Sequence, residues 1–145
     1  MIITAEEMQV DEKRFSEDVL RRLKGFTGYC GLEFTEVADE KCVVSCRLRE
    51  ELLNPSGLAH GGLIATLTDV AAGMMALQAD GWRHNIVTQN CSIHYLRPGR
   101  GAVLRAESRV IRKGNRVCVV QIDCFTDEGK LCTTAIYEIA YLNER

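Results

Sequence analysis

The chain has 145 residues, enough for a hydrophobic core of its own, and 46% of them are apolar. Eighteen basic against 20 acidic residues leave a formal net charge of -2, so no general basic field directs the chain to nucleic acid. Its 7 cysteines are an odd number without a CxxC pair, which argues against a disulfide framework or zinc site and for reduced core thiols in a cytoplasmic protein.

The first residues, Met1-Ile-Ile-Thr-Ala-Glu-Glu, lack the basic start and apolar core of a secretion signal. Residues 10–24 predict an amphipathic helix. Phe15, Val19, Leu20 and Leu23 share a face, Asp11 and Glu12 suit the start, and Arg21, Arg22 and Lys24 suit the end, with Gly25 as the stop. Residues 1–27 therefore read as an N-terminal helical segment of one domain spanning 1–145. Residues 32–37 and 41–49 read as strands, the second turning Cys42, Val44, Cys46 and Leu48 inward. An irregular loop, 50–59, follows.

The next segment is the most apolar of the chain. From Leu58 to Leu77 there is no Lys, Arg or Glu, and Asp69 is the only carboxylate between Glu51 and Asp80. A carboxylate removed from water without a partner is costly, so Asp69 either caps or pairs with something buried or does chemistry. Leu63, Ile64, Leu67, Val70, Ala71, Met74 and Leu77 recur with helical spacing. The opposite face carries Gly62, Thr66, Asp69, Gly73 and Ala76, which are small rather than charged. A helix without a solvated face is buried on both sides, and small residues let a second layer approach closely. The polar residues and the Gly61-Gly62 pair argue against a membrane span.

Four strand-like runs follow, near 85–96, 102–111, 116–125 and 130–141. Arg97-Pro-Gly-Arg-Gly, Lys113-Gly-Asn and Asp127-Glu-Gly are turn signals between them, so the runs predict a four-stranded antiparallel meander wrapped around the helix.

This order of elements, with Asn54-Pro-Ser-Gly-Leu-Ala-His60-Gly-Gly and then Asp69, resembles the hotdog-fold acyl-CoA thioesterases of the phenylacetate-degradation (PaaI) type. The resemblance runs from about Gly28 to Leu142 and also takes in the run Thr88 to Pro98. It implies an α+β hotdog fold, a long antiparallel sheet wrapped around one central apolar helix. It implies hydrolysis of an acyl-CoA thioester, with no cofactor beyond the coenzyme A of the substrate and no metal. Position by position, Asp69 would be the general base or nucleophile, and the backbone N–H of Gly61 would polarise the thioester carbonyl, with Gly62 beside it on the substrate. Asn54 and His60 would line the carbonyl and shape the loop, and Thr88 would position water, as Thr where the family usually has Ser.

The chemistry fits those roles. The first N–H groups of a helix are unpaired and partly positive, which suits the oxyanion that thioester hydrolysis creates. A carboxylate in a dry site is more basic than one in water. Eight residues separate Gly61 from Asp69, about 12 Å along a helix at 1.5 Å per residue, too far for one helix to supply both groups to one carbonyl. A site shared between two subunits removes the conflict, so the expectation is a homodimer; further pairing into a dimer of dimers is what the resemblance implies. Arg97, Arg100, Arg112, Lys113 and Arg116 lie in or beside turns, where they could converge on the phosphates of coenzyme A. Trp82 and the methionines could border the acyl pocket. A hotdog hydratase or dehydratase, a non-catalytic acyl-CoA-binding module and a structural domain are the competing readings. The hydratase loop pairs an Asp with its His, and here none precedes Asn54.

Overall fold

The computed structural model describes residues 12–145, with side chains from Glu17 onward. Helices α1 (Glu12–Arg22) and α2 (Gly25–Tyr29) lead into strands β1 (Leu32–Val37) and β2 (Cys42–Arg47). A short 3-10 turn and the long helix α3 (Gly61–Ala79) follow, then β3 (His84–Tyr95), β4 (Val103–Lys113), β5 (Val117–Thr126) and β6 (Leu131–Glu144). α1 ends at Arg22, and Gly25, expected as its stop, instead opens α2 with a φ of +64°, which the sequence did not announce. Val19 and Leu23 pack against the core, whereas Leu20 is turned to solvent. The parts expected of Val10, Asp11 and the Glu12 and Phe15 side chains lie outside the described residues.

The six strands form one antiparallel sheet in the order β1-β2-β4-β5-β6-β3. This corrects the expected four-stranded meander, because only β4, β5 and β6 follow one another as neighbours. β3 occupies the edge and pairs with β6, while β4 pairs with β2. The residues read as a hairpin turn, Arg97-Pro-Gly-Arg-Gly, instead carry the chain past the start of α3. Ala59 N–H donates to the Gly99 carbonyl (2.8 Å), and a Cβ on Gly99 would meet Ala59 and Ile64 at 3.0 Å. Turn residues mark a change of direction, and they do not say which strand comes next to which.

Helix α3 lies across the sheet and supplies most of the core. Leu67, Met75 and Leu77 are fully buried against Leu104, Val120, Ile122 and Ile139. Burying each such side chain is worth about 1.5–3 kcal/mol. α3 is long and apolar enough to cross a membrane, yet 67% of it is buried inside this chain. β5 alternates buried and half-buried positions along its length, as a strand with one face on the core must. Six of the cysteines are buried and only Cys91 is exposed.

The second face of α3 is less open than its small residues suggested. Ile86 of β3 packs on Gly73, and Tyr141 of β6 donates its hydroxyl to the Ala76 carbonyl (2.8 Å). The chain therefore covers the C-terminal half of α3 with its own strands. Gly62, Ala65, Thr66, Asp69 and Val70 remain partly or fully accessible on the N-terminal half. At the other end Trp82, itself at φ +62°, is 1% exposed and hydrogen-bonds Gln78 through its indole N–H (3.1 Å). Gln78 in turn donates to Asp39 in the β1–β2 connection (2.9 Å).

Candidate active site

The helix start is built with care. His60 is the N-cap, with extended backbone (φ -61°, ψ 137°), and its Nδ1 accepts from the Gly62 N–H at 2.9 Å. An imidazole that accepts at Nδ1 is neutral and carries its proton on Nε2. The loop before it is held by Asn54, whose Oδ1 accepts from the N–H groups of Ser56 (2.9 Å) and Leu58 (3.1 Å). Tyr95 of β3 donates its hydroxyl to the Gly61 carbonyl (3.0 Å). The Gly61 N–H has no acceptor among the described residues. One expectation is corrected here, because the Gly62 N–H is committed to the cap and is not available to a substrate.

Asp69, expected as base or nucleophile, and Thr88, expected to position water, lie side by side and are hydrogen-bonded to each other. Thr88 Oγ1 donates to Asp69 Oδ1 at 2.7 Å, the short distance of a hydrogen bond to a charged acceptor. Pairing of β3 with β6 shifts register between Thr88 and Asn90, and such irregularities re-aim side chains beside functional groups. Asp69 Oδ2 has no hydrogen-bond partner among the described residues. The expectation of a buried, dry carboxylate is corrected, since Asp69 is half-buried in this chain. The strand that follows α3 passes along one side of the carboxylate only.

Beside Asp69 opens a cavity of about 370 Å³, walled by Phe34, Gly73, Met74 and Ile86 and reached by Thr88. Arg21, Arg22 and Lys24 also border it, a contribution of the N-terminal helix that its charge pattern alone did not disclose. Trp82 is not on its wall. It closes the C-terminal end of α3, under the guanidinium groups of Arg22 and Arg145.

The basic residues do not converge within one chain. Arg97 and Arg100 lie at the end of the sheet near Gly61, with Arg97 donating to the Leu131 carbonyl (3.0 Å). Arg112, Lys113 and Arg116 lie at the other end, about 33 Å away by the length of β4 at 3.3 Å per residue. Successive turns of antiparallel strands fall at opposite ends of a sheet, which corrects the expected single cluster. Lys113 is occupied there. Its ammonium sits 3.5 Å from Asp80 Oδ1 and 4.9 Å from the centre of the Tyr141 ring. The Asp80 side chain is 1% exposed. Burial would raise its pKa, but hydrogen bonds from His84 and the nearby Lys113 charge outweigh it and hold the carboxyl below its usual range. His84 thus serves Asp80, and His94 is exposed beside Ser92.

The sequence model of the thioesterase superfamily matches residues 56–133, from the loop before α3 into β6. The medium/long-chain acyl-CoA thioesterase YigI of Escherichia coli is 32% identical over 84 residues, 49% of this chain and 54% of that one. Among solved structures, thioesterase HI1161 of Haemophilus influenzae superposes with a TM-score of 0.81 at 21% identity, over 88% of this chain and 90% of that one. The PaaI protein of the E. coli phenylacetic acid degradation operon superposes with a TM-score of 0.78 at 19% identity, over 88% and 91%. The shared architecture is the hotdog fold, one long antiparallel sheet around a central helix.

Proposed function

Because the chain belongs to the thioesterase superfamily, we propose that it hydrolyses an acyl-CoA thioester to free acid and coenzyme A at a site shared by two protomers. The observation that carries this reading is the pairing of a carboxylate already oriented by Thr88 with a capped helix start whose Gly61 N–H has no acceptor among the described residues. The helix does begin at Gly61, so the rise of about 12 Å to Asp69 applies, and the two groups must come from different chains to act on one carbonyl.

In the dimer, the thioester carbonyl oxygen accepts from the Gly61 N–H of one protomer, which stabilises the negative charge that develops on it. Asp69 of the other protomer takes a proton from the attacking water or attacks the carbonyl carbon itself. The carbon–sulfur bond then breaks, and the thiolate leaves and is protonated; in the second case the acyl group is left on Asp69 as a mixed anhydride, which a water molecule opens to free the acid and restore the carboxylate. Thr88 holds Oδ1, so Oδ2 faces the reaction in either case. His60 and Asn54 act by shaping the loop and helix start. Two features favour association: the accessible small-residue face around Ala65 and Thr66, and the unpaired outer edge of β3. A two-fold axis reverses one protomer against the other, so Arg112 and Arg116 of one point the same way as Arg97 and Arg100 of its partner. Those four supply the cations for the nucleotide phosphates. Dimers pair further into a dimer of dimers.

Thiol release from a panel of short, medium, long and aryl acyl-CoAs tests the reading. Asp69→Asn should lower kcat at least about a hundredfold, as loss of a base or nucleophile does. Its melting temperature should hardly change, because the carboxylate is half-buried and the amide oxygen can still accept from Thr88. A destabilised but fully active variant would contradict the proposal.

A further inference from the structure

Resting on that thioesterase reading, we infer that the cavity beside Asp69 accepts an acyl group ending in a second carboxylate, an ω-carboxyacyl thioester, whose anion is held by Arg22 with Lys24 at the rim. The cavity has a lining of two chemical kinds, Asp69 and Thr88 on the one hand and Arg22 and Lys24 on the other. Arg22 lies over the Trp82 ring, 6.0 Å from its centre. Trp82 is hydrogen-bonded to Gln78, nine residues beyond Asp69 and about 13 Å further along α3. The apolar part of the wall is formed by Phe34, Met74 and Ile86 with Gly73 leaving room.

The cations at the far end are under-compensated. Arg21 has Asp18 as partner (3.4 Å), and Arg145 uses the same Asp18. Neither Arg22 nor Lys24 has an ion-pair partner among the described residues. The Arg22 Nε is buried without a hydrogen-bond partner among the described residues, and so are Nε and Nη2 of Arg145. Burial first, and then the Arg145 charge, lower the pKa of the Arg22 guanidinium to about 10 against the opposing pull of Asp18. Three guanidinium groups, Arg21, Arg22 and Arg145, thus share the one carboxylate of Asp18 among the described residues, a poor design for stability and a good one for an anion. A carboxylate takes a guanidinium in two parallel hydrogen bonds, and repulsion from Asp69 keeps the ligand's own carboxylate at the Arg22 end. The other anion an acyl-CoA offers is its nucleotide phosphate, which is too bulky and too highly charged for an apolar-walled cavity beside the scissile bond.

The test compares adipoyl-CoA with hexanoyl-CoA, equal in chain length and different only at the far end. In the wild-type protein kcat/KM for adipoyl-CoA should exceed that for hexanoyl-CoA by about tenfold or more, the size of one charge-assisted hydrogen bond. Arg22→Met should lower that ratio at least tenfold. A wild-type preference for hexanoyl-CoA, or an equal loss on both substrates in Arg22→Met, would overturn the inference, the second result assigning Arg22 to the nucleotide phosphates. Calorimetric titration of the wild-type protein with free adipate and free hexanoate is independent of both turnover and the variant's folding. Tighter adipate binding supports the anion site, and equal binding refutes it. Adipate binding without thiol release from any acyl-CoA would keep this site and reject the thioesterase reading.

Discussion

Replacing Gly61 by proline removes one hydrogen-bond donor and little else. Gly61 is the first residue of α3, a position where proline is welcome because its fixed φ suits the helix and its missing N–H had no helical partner. His60 before it already has ψ 137°, the extended value that a following proline demands. An added Cβ would meet only the Tyr95 ring, at 3.7–3.8 Å, which is ordinary contact. Gly61→Pro should therefore fold normally, while losing an oxyanion donor should lower kcat about 10²–10³-fold, roughly 2.7–4 kcal/mol. Mixing tagged Gly61→Pro chains with Asp69→Asn chains under dissociating conditions and reassociating them gives half mixed dimers. In a mixed dimer one site has Asp69 from one chain and Gly61 from the other, both intact, and the second site has both lesions. Thiol release should thus recover to about a quarter of the wild-type value. A site contained within one chain predicts no recovery, since every protomer then carries one lesion. Residual activity equal to the mean of the two parents would refute the shared site.

Separate substitutions at the far end of the sheet should part company. Arg112→Ala should raise KM for acyl-CoA several-fold at constant melting temperature, whereas Lys113→Ala should lower the melting temperature by removing the ammonium from buried Asp80. Asp80→Asn should cost about 2 kcal/mol at neutral pH by denaturant titration. Because the folded-state pKa of Asp80 is depressed, its contribution is fully present above the unfolded value near 3.9 and lost as pH falls through the folded value. The stability of Asp80→Asn should therefore vary less with pH on the acid side than wild type, and parallel acid limbs would exclude the assignment. Single turnover in ¹⁸O-water followed by mass analysis of the peptide bearing Asp69 tests the covalent role, label in the carboxylate marking a mixed anhydride opened by water at the aspartyl carbonyl.

The parts of this fold that were legible in the sequence are those governed by local rules. The apolar repeat from Leu63 to Leu77 reads as a helix because its spacing follows the helical period, and the helix begins two residues before it, at Gly61. The strands β1 to β6 were each visible as apolar runs between turn residues. What escaped was everything that depends on which strand lies next to which. Period-two alternation in β3 looks the same at an edge as in the middle of a sheet, so neither the displacement of β3 to the edge nor the half-exposure of Asp69 could be read. The small residues Gly73 and Ala76 signal a close neighbour without saying whether it is another chain or, as here, Ile86 and Tyr141 of this one. The basic residues between strands carry no mark of the end to which they belong.

The pairing of β3 with the last strand bears on the order of assembly. Thr88 stands opposite Ile139, and Tyr95 opposite Thr133, so the backbone that presents the Thr88 hydroxyl to Asp69 has no strand partner in the chain until the final strand is made. Long-range pairings of this kind form late, after the local hairpins of β4, β5 and β6 have closed. During synthesis α3 and β3 leave the ribosome well before β6, and the apolar helix must wait with part of its surface bare. A chain stopped short of β6 contains Asn54, His60, Gly61, Asp69 and Thr88 and should still be inactive, because the strand it lacks is the one that holds Thr88 against the carboxylate.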